Sequence, residues 1–171
     1  MQALRFRLLT LLLLGGCAAT YTPPGNLPSA RIRFIVQDAS PDAAMNAMIY
    51  PSGLCESPME LAYTGGRINQ SDLSAIGMPT RPGLIAGRYF EKQIPASNSQ
   101  LFSVRLLTRA GRCMVSFSMQ PQPSRDYEAV VTWGERQCYV NVKELPESSN
   151  RGNAAAPQLA SQVPVCSKGF N

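Results

Sequence analysis

Histidine is absent from this 171-residue chain. That absence removes the commonest general base, the commonest zinc ligand and every Ser–His or Cys–His nucleophilic pair. Charge is sparse, at 16% of residues, and the formal net charge is +5. Arg5 and Arg7 lie in a segment expected to be removed, so the remainder carries +3. This is too little to argue for nucleic acid as a partner. No glycine-rich phosphate loop, Gly-x-Ser-x-Gly elbow, Cys-x-x-Cys spacing or internal repeat occurs. Two carboxylate pairs invite a search for acid–base chemistry, Glu56 with Glu60 and Asp126 with Glu128. No apolar neighbours stand beside either pair to shift a proton affinity, so both read as solvated surface acids. No catalytic residue, metal ligand or cofactor is expected.

What is present begins with an address. Met1 to Gly16 opens with Arg5 and Arg7, continues through the apolar run Leu8 to Leu14 and ends on two glycines. A cationic start, an apolar stretch and small residues before a cut make a secretory signal. The stretch is too short to span a bilayer, which takes about 20 apolar residues as helix. Ordinary cleavage after Ala18 or Ala19 is one outcome of this pattern.

Leu14-Gly15-Gly16-Cys17 resembles the lipobox of bacterial lipoproteins. The resemblance covers the signal and its cut site, and it implies that residues 1–16 are removed. It implies further that the Cys17 thiol carries a diacylglyceryl group and that Cys17 becomes the new N-terminus. Two or three acyl chains anchor stably, because each buried methylene contributes about 0.8 kcal/mol. Ala18 stands where inner-membrane lipoproteins often carry Asp, so the resemblance favours the outer membrane, periplasmic face. The lipid on Cys17 is the only non-protein group expected, and the membrane the first partner.

Five cysteines occur, Cys17, Cys55, Cys113, Cys138 and Cys166. Lipidation of Cys17 leaves an even set in an oxidising compartment, where staples are the usual role. Strand phase suggests the pairing. Cys113, Val115, Phe117 and Met119 share one face of a strand, and Cys138, Val140 and Val142 share one face of another. Both cysteines point into the core, which favours Cys113–Cys138 and leaves Cys55 with Cys166 to pin the tail. A meander that set the two strands apart would defeat this pairing.

Residues 17–29, with Thr-Pro-Pro-Gly and Leu-Pro-Ser, read as a flexible spacer. Strands are expected where apolar residues alternate: Ile32, Phe34 and Val36, set against Arg31, Arg33 and Gln37; Met45, Ala47 and Ile49; Phe102, Val104 and Leu106; the Cys113 run; Tyr127, Ala129, Val131 and Trp133; and the Cys138 run. Shorter ones are expected near Leu84–Ile85 and Tyr89–Ile94, and one helical turn in Asn69–Ser74. Short strands with turns between them point to an all-β antiparallel sandwich over 30–145. Residues 146–171 read as an irregular tail tethered through Cys166. The succession of strands resembles that of small proteobacterial envelope lipoproteins with an immunoglobulin-like or transthyretin-like sandwich, which brings no catalytic residues with it.

The long stretch Thr64–Ser99 is the first place to look for binding, since long irregular loops in compact domains are often functional. Arg67, Arg81, Arg88 and Tyr89 fall within it as a candidate binding loop. Tyr139 lies out of phase with Cys138 and Val140 and should face solvent. The expected function is a non-enzymatic, lipid-anchored module that binds a protein partner or serves an envelope assembly. The alternatives are a glycan- or peptidoglycan-binding module and an inhibitor of a hydrolase.

Overall fold

The computed structural model describes residues 19–23, 25–37, 43–65, 75–85, 87–134, 137–146 and 160–170. The signal segment, Cys17, Arg67, the Asn69–Ser74 turn and residues 147–159 lie outside the described residues.

Ten strands follow one another: β1 (Ala19–Thr20), β2 (Ser29–Gln37), β3 (Ala44–Tyr50), β4 (Met59–Thr64), β5 (Tyr89–Pro95), β6 (Gln100–Thr108), β7 (Gly111–Met119), β8 (Asp126–Gly134), β9 (Gln137–Glu144) and β10 (Ser161–Val163). Among the described residues there is no helix. A six-stranded sheet, in the order β1-β4-β3-β6-β7-β10, packs against a four-stranded one in the order β5-β2-β8-β9. The protein is an all-β sandwich.

Alternation in sequence becomes the interior. Ile32, Phe34 and Val36 of β2, Phe90 and Ile94 of β5, and Ala129 and Val131 of β8 face Met45, Ala47 and Ile49 of β3, Phe102, Val104 and Leu106 of β6, and Phe117 of β7, all buried. Four phenylalanines join the layers at the centre. Phe34 stacks on Phe90 at 5.0 Å between ring centroids, Phe102 on Phe117 at 5.1 Å, and Phe34 meets Phe102 at 6.0 Å. Offset and tilted aromatic contacts of this kind add to the burial of their apolar area. Trp133 packs at the border of this core.

Several local expectations give way to tertiary effects. The pairing is not purely antiparallel, because β2 runs parallel to β8 from Arg31↔Asp126 to Gln37↔Thr132, and β1 runs parallel to β4. A parallel neighbour needs a long crossover, and the chain between β2 and β8 supplies it. Leu84–Ile85 forms no strand. The spacer is shorter than 17–29: Ala19 and Thr20 pair with Met59 and Glu60, the Tyr21 amide donates to the Glu60 carbonyl at 2.9 Å, and the Tyr21 ring is buried. The tail is not irregular throughout, because β10 pairs with β7 through Ser161↔Ser118 to Val163↔Ser116.

Two disulfides close the sandwich. Cys113–Cys138 bridges β7 to β9 with a Cα separation of 5.5 Å, and Cys55–Cys166 ties the β3–β4 loop to the tail at 5.4 Å. Both separations suit an ordinary bridge. The tail then lies over the outer face of the larger sheet. The Tyr50 hydroxyl donates to the Lys168 carbonyl at 2.8 Å, the Cys166 amide donates to the Ser116 hydroxyl at 2.9 Å, and the Arg105 guanidinium rests 5.1 Å from the Phe170 ring.

Candidate functional site, the charged face of the four-stranded sheet

The outer face of the smaller sheet collects a run of charged side chains that alternation turns away from the core. Pairing sets them in rows across the strands. Arg31 lies beside Asp126, and Arg33 lies between Glu91 and Glu128, with Lys143 beyond Glu128. The expectation that Asp126 and Glu128 are solvated is wrong: their side chains are 11% exposed and fully buried, respectively. Arg33 is 1% exposed and Glu128 is fully buried, because residues 76–81 cross the sheet above them.

The crossing segment is held by the very charges it covers. Arg33 donates to Glu91 Oε1 through Nε at 2.9 Å and Nη2 at 2.5 Å, and to the Pro79 carbonyl at 2.8 Å. Glu91 Oε2 accepts the backbone amides of Ile76 at 2.8 Å and Met78 at 3.3 Å. Arg31 grips Asp126 through two parallel bonds of 2.6 and 2.7 Å and donates to the Gly77 carbonyl at 3.1 Å. A fork that meets a carboxylate with two donors is among the stronger protein hydrogen bonds. With four donors on its two oxygens, Glu91 is a strut.

Glu128 is placed differently. Three cations surround it: Arg33 at 3.5 Å, Arg81 at 3.0 Å and Lys143 at 3.1 Å. Arg81 and Lys143 keep about two fifths of their side chains in solvent, 38% and 40%. One buried carboxylate therefore fixes two accessible cations whose charge it cannot match alone. They border a groove of about 370 Å³ that continues past Asn141, Thr132 and Gln37 to Tyr139. Tyr139 is 42% exposed, as its phase requires. The arrangement can bind a ligand that brings carboxylate or hydroxyl groups and one flat or apolar surface for the ring. A second groove, of about 360 Å³, lies at the other end of the same face around Arg31, Asp126 and Pro146.

Of the candidate loop, Arg81 and Tyr89 come to this face, Tyr89 with its ring 5.7 Å from the Arg33 guanidinium. Arg88 stands just before β5, where its carbonyl accepts the Val36 amide at 3.1 Å. The other carboxylate pair does not converge on the groove: Glu60 accepts from Asn46 at 3.2 Å on the larger sheet, and Glu56 is exposed in the β3–β4 loop. Sequence reasoning missed Glu91 and Lys143. Their signal is the outward phase they share with Arg33 and Glu128, but it becomes visible only once β5, β2, β8 and β9 are known to be neighbours. Among the described residues no three His, Cys, Asp or Glu side chains gather as a metal site, and no helix is long and apolar enough to cross a membrane.

No family model matches the chain, and no curated protein or solved structure matches it either.

Proposed function

We propose that this is an exported, lipid-anchored and non-enzymatic module that recognises an envelope partner through the groove beside β9. The observation that carries the reading is the groove itself, where Tyr139 stands exposed and Arg81 and Lys143 are held in place by the buried Glu128. Binding energy at interfaces concentrates in anchored aromatic and basic side chains, and positions fixed before contact lose little entropy on binding. Strand β9 also lies at the edge of its sheet, so its outer backbone groups can extend a partner's strand. The anchor is the lipid on Cys17 that the lipobox implies, and the outer membrane is its expected seat.

One observation favours a second reading, a glycan as the partner. Tyr139 has the amides Gln37 and Asn141 beside it, the combination that stacks on a sugar ring and bonds its hydroxyls.

A photoreactive amino acid placed at position 139, in cells and at native abundance, tests both. A discrete protein adduct that is lost in Lys143→Glu supports the protein partner. Retention of the purified protein on peptidoglycan, lost in Tyr139→Ala, supports the glycan. Adducts no stronger than those from a photoreactive group at Ser118, on the opposite sheet, refute the groove. The anchor is read separately by fractionation, where Cys17→Ser should move the protein out of the membrane pellet.

A further inference from the structure

Beyond recognition at the groove, and resting on the anchoring reading above, we propose that the sandwich stands on the membrane at one defined end, with Leu54 and Leu27 in the lipid interface. The first observation is how little chain is left for a tether. Ala19 already pairs with Met59, the first residue of β4, and Tyr21 is buried. Two residues of fully extended chain reach at most about 7 Å, so a lipidated Cys17 lies within that distance of the sheet. The parallel pairing of β1 with β4 supplies the direction. Chain that precedes Ala19 leaves from the end at which β4 begins.

The same end holds the start of β6, since Ile49 pairs with both Met59 and Phe102. It also holds the starts of β2 and β8, because the Ala96 amide bonds to the Pro28 carbonyl and the Ser97 amide to the Pro121 carbonyl. The described connections gathered there, residues 22–23, 25–28, 51–58, 96–99 and 120–125, contain two charged residues, Glu56 and Arg125; Arg125 pairs at 3.5 Å with Glu144, where β9 ends, and the tail adds Lys168, whose carbonyl accepts the Tyr50 hydroxyl. They also display Leu54 at 61% and Leu27 at 55% exposure. Two large exposed aliphatic side chains at the end from which an acyl-anchored chain leaves match the headgroup boundary of a bilayer, where the charges beside them stay in water.

The orientation sets where recognition happens. Tyr139 pairs with Thr132, six residues along β8 from Asp126. At about 3.3 Å per residue Tyr139 stands about 20 Å farther from the membrane than the anchored end, while Lys143, paired with Glu128, stands about 7 Å from that end, so the groove rises away from the lipid with its aromatic end outermost. An extended spacer would leave the domain free to tumble, whereas a two-residue tether with two leucines in the interface presents the groove in one direction.

The test uses the full chain, produced with its leader, purified from membranes in detergent and reconstituted into phosphatidylethanolamine–phosphatidylglycerol vesicles. Leu54→Trp and Tyr139→Trp each add one indole at an exposed site, with Trp133 common to both. Vesicles whose acyl chains carry bromine should quench about half of the fluorescence added at position 54 and almost none of that added at 139, because bromine quenches on contact within the bilayer. Leu27→Trp should follow position 54. Intact mass separates the two ways to fail. If the mass includes the diacylglyceryl group but position 54 is no more quenched than 139, the orientation is overturned while the anchor stands. A mature chain that lacks lipid overturns both.

Discussion

Replacing Arg33 by Met should cost far more than a charge on the outer face of a sheet would suggest. The side chain is 1% exposed and bonds to Glu91, Glu128 and the Pro79 carbonyl. Breaking a buried ion pair by removing one partner costs about 3–5 kcal/mol, because the charge left behind stays desolvated. The lower part of that range applies here. Glu91 keeps the Ile76 and Met78 amides, and Glu128 keeps Arg81 and Lys143. With a urea slope of about 2 kcal/mol per molar for a domain of this size, a loss of about 3 kcal/mol lowers the unfolding midpoint by about 1.5 M. Glu91→Leu should cost a similar amount, since it strands Arg33 and two backbone amides. The double variant should lose less than the sum of the two by about 2 kcal/mol, the signature of groups that share one network. Amide exchange gives a local reading of the same physics. In Glu91→Gln the Ile76 and Met78 amides should exchange at least about tenfold faster, since each 1.4 kcal/mol of lost protection is a factor of ten. Additive single losses, or a midpoint shift under about 0.3 M, would refute the view that these charges clamp the crossing segment.

Two further outcomes follow from the ends of the chain. Burial without a hydrogen-bond partner pushes the Tyr21 phenol up to about 12 from an ordinary 10. The unfolded chain therefore ionises first, and stability that is complete below pH 10 should fall as the pH rises towards 12, by on the order of 2 kcal/mol. Tyr21→Phe should remove that alkaline dependence and raise stability at neutral pH, as read by thermal unfolding; an unchanged pH profile would mean that Tyr21 is not docked. Chain-entropy arithmetic gives about 3.5 kcal/mol for the loop closed by Cys113–Cys138 and about 5 for that closed by Cys55–Cys166. Their sequence separations are 25 and 111. Ala pairs at each bridge should lose stability in that order in urea, and mass mapping without reductant should find no free thiol among these four.

Much of the sandwich is legible in the residues because burial on one face imposes a period of two. The strands around Phe34, Phe102, Phe117 and Val131 carry that period cleanly, and so do the inward phases of Cys113 and Cys138. Three strands carry too little of it. β1 has two residues and β10 three, lengths at which alternation has no meaning, and β4 reads Met-Glu-Leu-Ala-Tyr-Thr, with a register shift in its pairing with β3. The groove is half legible. Tyr139 and Arg81 stand out as exposed ring and loop cation, whereas Glu91 and Lys143 look like any outward charge until their rows are assembled.

The residues by themselves determine the absence of imidazole chemistry, the inward phase of Cys113 and Cys138 and the inward faces of the main strands, and they carry the resemblance to a lipobox at Leu14-Gly15-Gly16-Cys17. These are local properties, set by side-chain type and by spacing along a few residues. Which outward charges become buried is decided only in three dimensions. Arg33 meets Glu91 across 58 positions and Glu128 across 95, and residues 76–81 fold back to cover all three. A two-residue period tells a side chain which face to take; it says nothing about which strand lies alongside or what covers that face. The parallel pairing of β2 with β8 and the docking of β1 beside β4 make those assignments, and with them the groove and the end from which the chain leaves the sandwich.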